Sequence, residues 1–202
     1  MRNFIVIALC VFAWNAKAQI LLTPLTADKF PKGIDYKGKL VEAVQWTDKA
    51  GTHIVVATQM PKENKTDDSR SAELWAHHWL KKNNQYVQVW KIYDFVSSCM
   101  ADVTATFLKN KLSVTDLNTD GTAEIWLMYR VCCRGDVSPC DTKIIMYQGQ
   151  QKFAMRGKSK MIMPENQPYG GEYTFDSSFK ASAKAFRDFA QKLWNTNITE
   201  TF

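Results

Sequence analysis

The sequence predicts a mainly β protein: an antiparallel β-meander, as a bent sheet, a sandwich or a propeller-blade-like array, with one C-terminal amphipathic helix. Three observations lead there. Apolar–polar alternation dominates from about residue 36 to residue 157. Within that span Asn83-Asn84, Lys109-Asn110 and Gly149-Gln150 each separate two apolar-rich runs by a few residues, which is hairpin spacing. After Phe179 the apolar residues fall near i, i+3, i+4, i+7, the spacing of one helical face.

Residues 1–18 read as a cleavable secretory signal peptide. Arg2 gives a positive start, Phe4 to Trp14 a short apolar run, and Ala16-Lys17-Ala18 a small-x-small site, so the cut is expected between Ala18 and Gln19. A transmembrane anchor needs roughly 20 apolar residues; this run is about half that before it meets Asn15 and Lys17. Cys10 follows Leu9, where a lipid-attachment site has a small residue. Residues 19–202 are expected to form a single β-rich domain, exported to the periplasm or outer surface and not integral to the membrane. The formal charge of +6 falls by two, to +4, with Arg2 and Lys17. No Lys/Arg cluster is interleaved with aromatics on one element, which argues against a nucleic-acid partner.

The expected strands are 36–46, 53–59, 72–80, 86–95, 102–108, 112–116, 123–133, 143–147 and 152–156, rich in Val, Ile, Trp and Tyr as pleated, half-buried surfaces are. Residues 61–71 and 164–178 read as surface loops. The helix is expected over 179–194, its stripe of Phe179, Ala183, Phe186, Ala190, Leu193 and Trp194 docking on the sheet and Ser177-Ser178 capping its start.

One segment carries chemistry. From Asp116 to Glu124, oxygen-bearing side chains stand at loop positions one (Asp116), three (Asn118), five (Asp120) and nine (Glu124), with Gly121 at six for a sharp turn. Calcium takes about six to eight oxygens at about 2.4 Å, and a tight loop can present them. An EF-hand is excluded by register, because its twelfth position is Leu127 and the flanks are strand-like. The competing reading is a turn in which Asp and Asn side chains bond neighbouring amides. Val44 to Val56 echoes this segment, with Gly51 lying on Gly121 and Trp46, Asp48 and Ala50 at the ligand positions.

Cys99, Cys132, Cys133 and Cys140 are an even set, which in an exported chain points to disulfides. A zinc site wants C-x-x-C spacing or neighbouring histidines, and neither is there. Alternation along 123–133 puts Ile125, Leu127, Tyr129, Val131 and Cys133 on one face and Glu124, Trp126, Met128, Arg130 and Cys132 on the other. Cys132 and Cys133 therefore have different partners. Cys140 can reach one of them locally, whereas in a simple meander Cys99 lies far from both; the full pairings stay open. His77 and His78 face opposite ways, and His53 completes the histidines. No nucleophile signature or phosphate loop is present. Arg134-Gly135-Asp136 spells an adhesion tripeptide, a match short enough to arise by chance.

The stretch from Ser113 to Met128 resembles the metal loops of FG-GAP and VCBS-type repeats, which join two strands and end on an acidic residue at position nine. That resemblance implies calcium, with Asp116, Asn118, Asp120 and Glu124 as side-chain ligands and Thr122 giving a backbone carbonyl. Asn118 departs from it by replacing an Asp, and the repeat's Phe-Gly and Gly-Ala-Pro elements are missing. A wider stretch is similar to a family of exported Gram-negative proteins associated with surface polysaccharide biosynthesis. The residues concerned are Val-Thr-Asp-Leu-Asn-Thr-Asp-Gly at 114–121, Ala-Glu-Ile-Trp-Leu-Met-Tyr at 123–129, Cys-Arg-Gly-Asp-Val-Ser-Pro at 133–139, Lys-Ile-Ile-Met-Tyr-Gln-Gly at 143–149 and Phe-Ala-Met-Arg-Gly at 153–157. It implies an envelope setting, with envelope glycan or envelope proteins as partners. Cys132 and Cys140 look like additions to that family's pattern, which implies that they pair and leaves Cys99 and Cys133 over. The expected function is a non-catalytic envelope protein of surface polysaccharide biosynthesis with a calcium-stabilised hairpin loop. The alternative is a carbohydrate-active hydrolase whose carboxylate pair meets only in space.

Overall fold

The computed structural model describes residues 20–63, 68–108, 112–163 and 167–200, so the signal peptide expected over 1–18 lies outside the described residues. Five strands in sequential order make the first sheet: β1 (Thr23–Pro24), β2 (Lys39–Asp48), β3 (Gly51–Glu63), β4 (Arg70–Lys82) and β5 (Gln85–Cys99), every pairing antiparallel. Asn83 and Asn84 both take left-handed backbone angles, φ 49° and 63°, in the two-residue turn between β4 and β5. β3 and β4 run on into the stretch 61–71 that reads as loop, pairing as far as Glu63 with Arg70.

The second sheet contains β6 (Asp102–Phe107), β7 (Ser113–Thr115), β8 (Glu124–Arg134), β9 (Asp141–Gln148) and β10 (Gln151–Lys158). Gly149, at φ 57°, turns β9 into β10 as expected. The turn expected at Lys109-Asn110 lies outside the described residues, and the strands on either side of it do not pair with each other. β6 and β7 both run antiparallel to β8, on different halves of it: Asp102–Phe107 lie against Arg134–Tyr129, and Ser113–Thr115 against Trp126–Glu124. β8 is long enough to give both short strands backbone partners, so the chain continues in one direction instead of reversing.

The chain then passes through β11 (Lys160–Ile162) and β12 (Pro168–Gly170), and β13 (Tyr173–Phe175) returns to pair with β10. The expected single helix is two pieces, α1 (Ser177–Ala181) and α2 (Lys184–Asn197), after which β14 (Thr199–Glu200) lies parallel beside β11. The cap is Asp176 rather than the serine pair: its Oδ1 accepts the Phe179 N–H at 2.8 Å, while Oδ2 accepts Ala154 N–H at 3.0 Å and ties the helix start to β10. Ser177 and Ser178 are already inside the first turn. Ser182 breaks the helix by donating its hydroxyl to Phe179 O at 2.7 Å. Arg130 Nη2 holds the far end, donating to the carbonyls of Asn197 and Ile198 at 2.9 and 3.1 Å.

The sheets pack face to face. Trp46, Val55, Leu74, Trp90 and Ile92 of the first meet Ile125, Leu127, Tyr129, Ile145 and Tyr147 of the second. The second sheet buries its other face too, where Trp126, Met128, Met146, Phe153 and Met155 receive Phe179, Phe186, Ala190 and Trp194. That is why β8 reads Ile-Trp-Leu-Met-Tyr without polar alternation. On the outer face of the first sheet, Ile34 and partly buried Leu25 and Phe30 cover Ile54, Val56 and Trp79. Cys99 bonds Cys133 and Cys132 bonds Cys140. Cys99 reaches Cys133 because β6 follows β5 and sets Asp102 opposite Arg134. Among the described residues no helix is long and apolar enough to cross a membrane.

Candidate functional site

The Asp116–Glu124 loop closes on itself. Thr119 and Gly121 take left-handed angles, φ 57° and 79°, and bend the backbone so that Asp116 accepts Asp120 N–H at Oδ1 (3.1 Å) and Gly121 N–H at Oδ2 (3.0 Å). Asp120 accepts Thr122 N–H at 2.7 Å, Asn118 Nδ2 at 2.9 Å and Gln148 Nε2 at 3.0 Å. Glu124 is fully buried, and its Oε2 accepts Thr115 Oγ1 at 2.8 Å and Leu117 N–H at 2.9 Å. Burial raises the Glu124 pKa; the bonds from Leu117 and Thr115 oppose this, and the like charges of Asp116 and Asp120 add to it. All five expected residues therefore sit in one loop. Three carboxylates and an amide oxygen suit calcium in chemistry. Their oxygens are directed at N–H groups, however, and among the described residues no three His, Cys, Asp or Glu side chains enclose a point for an ion.

The β2–β3 turn docks on this loop. Ala123 N–H donates to Asp48 Oδ2 at 3.0 Å, Lys49 N–H to Gly121 O at 3.2 Å, and Lys49 Nζ to Asp120 O at 2.6 Å. The two turns that echo each other in sequence are thus neighbours in space, one from each sheet.

Asp48 also starts a buried polar chain. Its Oδ1 lies 2.8 Å from His53 Nε2, and His53 Nδ1 lies 2.9 Å from His78 Nε2. Burial opposes ionisation of Asp48, but the N–H groups of Ala123 and Ala50 together with His53 outweigh it and hold the carboxyl below its ordinary range. An ionised Asp48 can only accept, so His53 carries its proton on Nε2. His53 Nδ1 then accepts from His78 Nε2–H, and His78 Nδ1 is left as a bare acceptor with no partner. Burial, then the nearby His53, push the His78 pKa down to about 3, against the pull of Asp48. Trp46 stacks on both imidazoles, with centroids 4.9 and 5.7 Å away. A pocket of about 210 Å³ opens beside these rings, between the sheets. His77 faces the other way, as alternation requires, and meets Gln88 Oε1 at 3.0 Å.

On the outer face of the first sheet, Trp75 stands opposite Tyr93 with ring centroids 5.7 Å apart, and Phe95 continues the row at 5.4 Å. Tyr93 and Phe95 are 47 % and 51 % exposed. A groove of about 250 Å³ adjoins Trp75, bounded by Asp35, Tyr36, Lys37, His77 and Lys91.

The adhesion tripeptide is internally engaged. Arg134 bonds Ser138 O at 2.5 Å and Glu200 at 2.7 Å, and Asp136 Oδ1 accepts Ser138 N–H at 2.8 Å. The Asp48–His53–His78 chain escapes a sequence reading because its members are 5 and 25 positions apart. The sequence signals nearest to it are Asp48 and His53 flanking Gly51 and a histidine facing inward on a neighbouring strand. Comparison with protein-family models, curated proteins and solved structures finds no match.

Proposed function

We propose that the chain is an exported cell-envelope protein that serves surface polysaccharide biosynthesis by binding glycan rather than cutting it, and that calcium stiffens its Asp116–Glu124 loop. The observation that carries the binding is the half-exposed pair Tyr93 and Phe95, stacked in a row that starts at buried Trp75, beside a groove with polar and charged walls. A sugar ring has apolar C–H faces and a hydroxyl rim. Aromatic rings take the faces, and Asp35, Lys37, His77 and Lys91 supply donors and acceptors for the rim. A hydrolase needs two carboxyl groups about 5–10 Å apart across a cleft. The carboxylates gathered in this fold, Asp116, Asp120 and Glu124, are bonded within a single loop.

Calorimetric titration with purified surface polysaccharide tests the binding. Tyr93→Ala and Phe95→Ala are each expected to weaken it about tenfold, the size of a stacking contact of 1–2 kcal/mol. Binding unchanged in both variants would remove the reading. Titration with calcium chloride tests the loop separately: heat uptake that Asp116→Asn abolishes supports a calcium site, and a flat titration leaves the loop as a hydrogen-bonded turn.

A further inference from the structure

On the outer face of the first sheet, β4 and β5 set three residue pairs side by side: His77 opposite Lys91, Trp75 opposite Tyr93, and Glu73 opposite Phe95. Successive pairs are two residues apart, about 7 Å along the strand. The central aromatic pair therefore has a cation on one side and an acid on the other. The remaining wall of the groove is the segment Asp35, Tyr36 and Lys37, just before β2. Gly38 holds that segment against the sheet. At φ 82° its backbone passes so close that a Cβ would lie 2.9 Å from Gln59 O and 3.3 Å from the Trp75 ring. Lys37 thus borders the groove from the β3 side and Lys91 borders it from β5.

Both lysines are exposed, and among the described residues neither ammonium group has an ion pair or a hydrogen bond. Asp35 is the one carboxylate lining the groove. His77 is engaged by Gln88, with Nδ1 3.0 Å from Oε1. Burial and the Lys91 charge, against the Gln88 bond, hold its pKa below the ordinary value, so it is neutral at neutral pH. Two cations therefore face one anion beside an aromatic platform. A neutral sugar gains nothing from the two ammonium groups, whereas a sugar with a negative charge gains from both. A ring stacked on Tyr93 lies one pair from Lys91, a step that the four-carbon lysine stem spans. Glu73 repels a carboxylate from the opposite side, so the charge has a preferred direction.

Resting on the glycan reading of this groove, we propose that its ligand is an acidic glycan: a carboxylate-bearing sugar stacks on Tyr93 with its carboxylate paired to Lys91. Lys37 adds attraction from the other wall, and Asp35 accepts hydroxyl protons from the rim of the ring. The lysines select for charge, while the aromatic rings hold any sugar face.

The probes are purified surface polysaccharide and the same polysaccharide after carbodiimide activation and borohydride reduction, which turns each carboxylate into a primary alcohol and keeps the rings. In calorimetric titration at low salt the native material is expected to bind about three- to tenfold more tightly, the size of one or two exposed ion pairs. Lys91→Gln should weaken native binding several-fold and leave the reduced material unchanged, and Lys91→Arg should keep the difference. Sodium chloride at about 0.5 M should shrink the difference by screening. Equal binding of the two materials by the parent protein overturns the acidic ligand and leaves the glycan reading standing, since Tyr93→Ala tests that reading by itself. A difference that survives both Lys91→Gln and Lys37→Gln also overturns it, because the carboxylate is then read elsewhere. If neither material binds, both readings fall.

Discussion

His78 is neutral in the folded protein, and this sets how the fold responds to acid. In the unfolded chain the imidazole titrates at its ordinary 6.5; inside the sandwich its pKa is pushed down to about 3. Between those values the unfolded chain takes up a proton that the folded one refuses, so stability is fully present above 6.5 and drains away as pH falls toward 3. Each pH unit inside the window costs about 1.4 kcal/mol, so going from about pH 7 to about pH 4.5 removes about 2–3 kcal/mol. Against a total of about 5–15 kcal/mol for a domain, that is a large share. The assay is urea unfolding followed by tryptophan fluorescence at several pH values across the window. His78→Gln keeps an amide that can donate to His53 Nδ1 but cannot itself be protonated, and its stability should fall much less over the same range. If the parent and His78→Gln lose the same stability on acidification, His78 is not the group responsible and the tautomer assignment from Asp48 inward fails with it.

Glu124→Leu leaves Leu117 N–H unpaired and the Thr115 hydroxyl proton without its acceptor, while Thr115 Oγ1 still accepts from Trp126 Nε1, at a cost of about 2–3 kcal/mol in urea unfolding. Glu124→Gln should instead gain stability at neutral pH. The raised pKa of Glu124 means that its buried charge opposes folding above that pKa and is relieved as pH falls, the opposite slope to His78. The disulfides should differ in worth. Cys99–Cys133 closes a separation of 34 residues and Cys132–Cys140 one of 8. Replacing the first pair by serine should cost about 4 kcal/mol and the second about 2.5 kcal/mol on the loop-entropy relation. Equal losses in denaturant unfolding would contradict that ordering.

Local chemistry made much of the fold legible. Asn83-Asn84 and Gly149-Gln150 specify their turns by themselves, and the period of two along 123–133 sorts Ile125 and Leu127 from Trp126 and Met128 onto faces that both turn out buried. Lys109-Asn110 misled because spacing alone does not say which strand a segment pairs with; the length of β8 decides that. β11, β12 and β14, which form a third, small sheet, have two or three residues each, too few to carry any period, so that sheet with its parallel pair was invisible. The expected site residues came together because one loop holds them. The Asp48–His53–His78 chain did not show, since it exists only once β2, β3 and β4 lie side by side. The cysteine pairing implied by resemblance is the pairing found, although a simple meander kept Cys99 away; β6 lying on the far half of β8 removes that distance.

β8 runs the length of the sandwich, and its two ends are fastened to the first sheet in different ways. At Cys133 the fastening is a covalent bond to Cys99 at the end of β5; just before Glu124 it is hydrogen bonds alone, from Ala123 N–H to Asp48 at the end of β2 and from Lys49 to the carbonyls of Gly121 and Asp120. The assembly is built like a door with a hinge and a latch. Any parting of the two sheets short of reduction must swing about the cysteine end and begin at the Asp48 end, where the pocket lies. Amide exchange should therefore rise first at Ala123 and last beside Cys133.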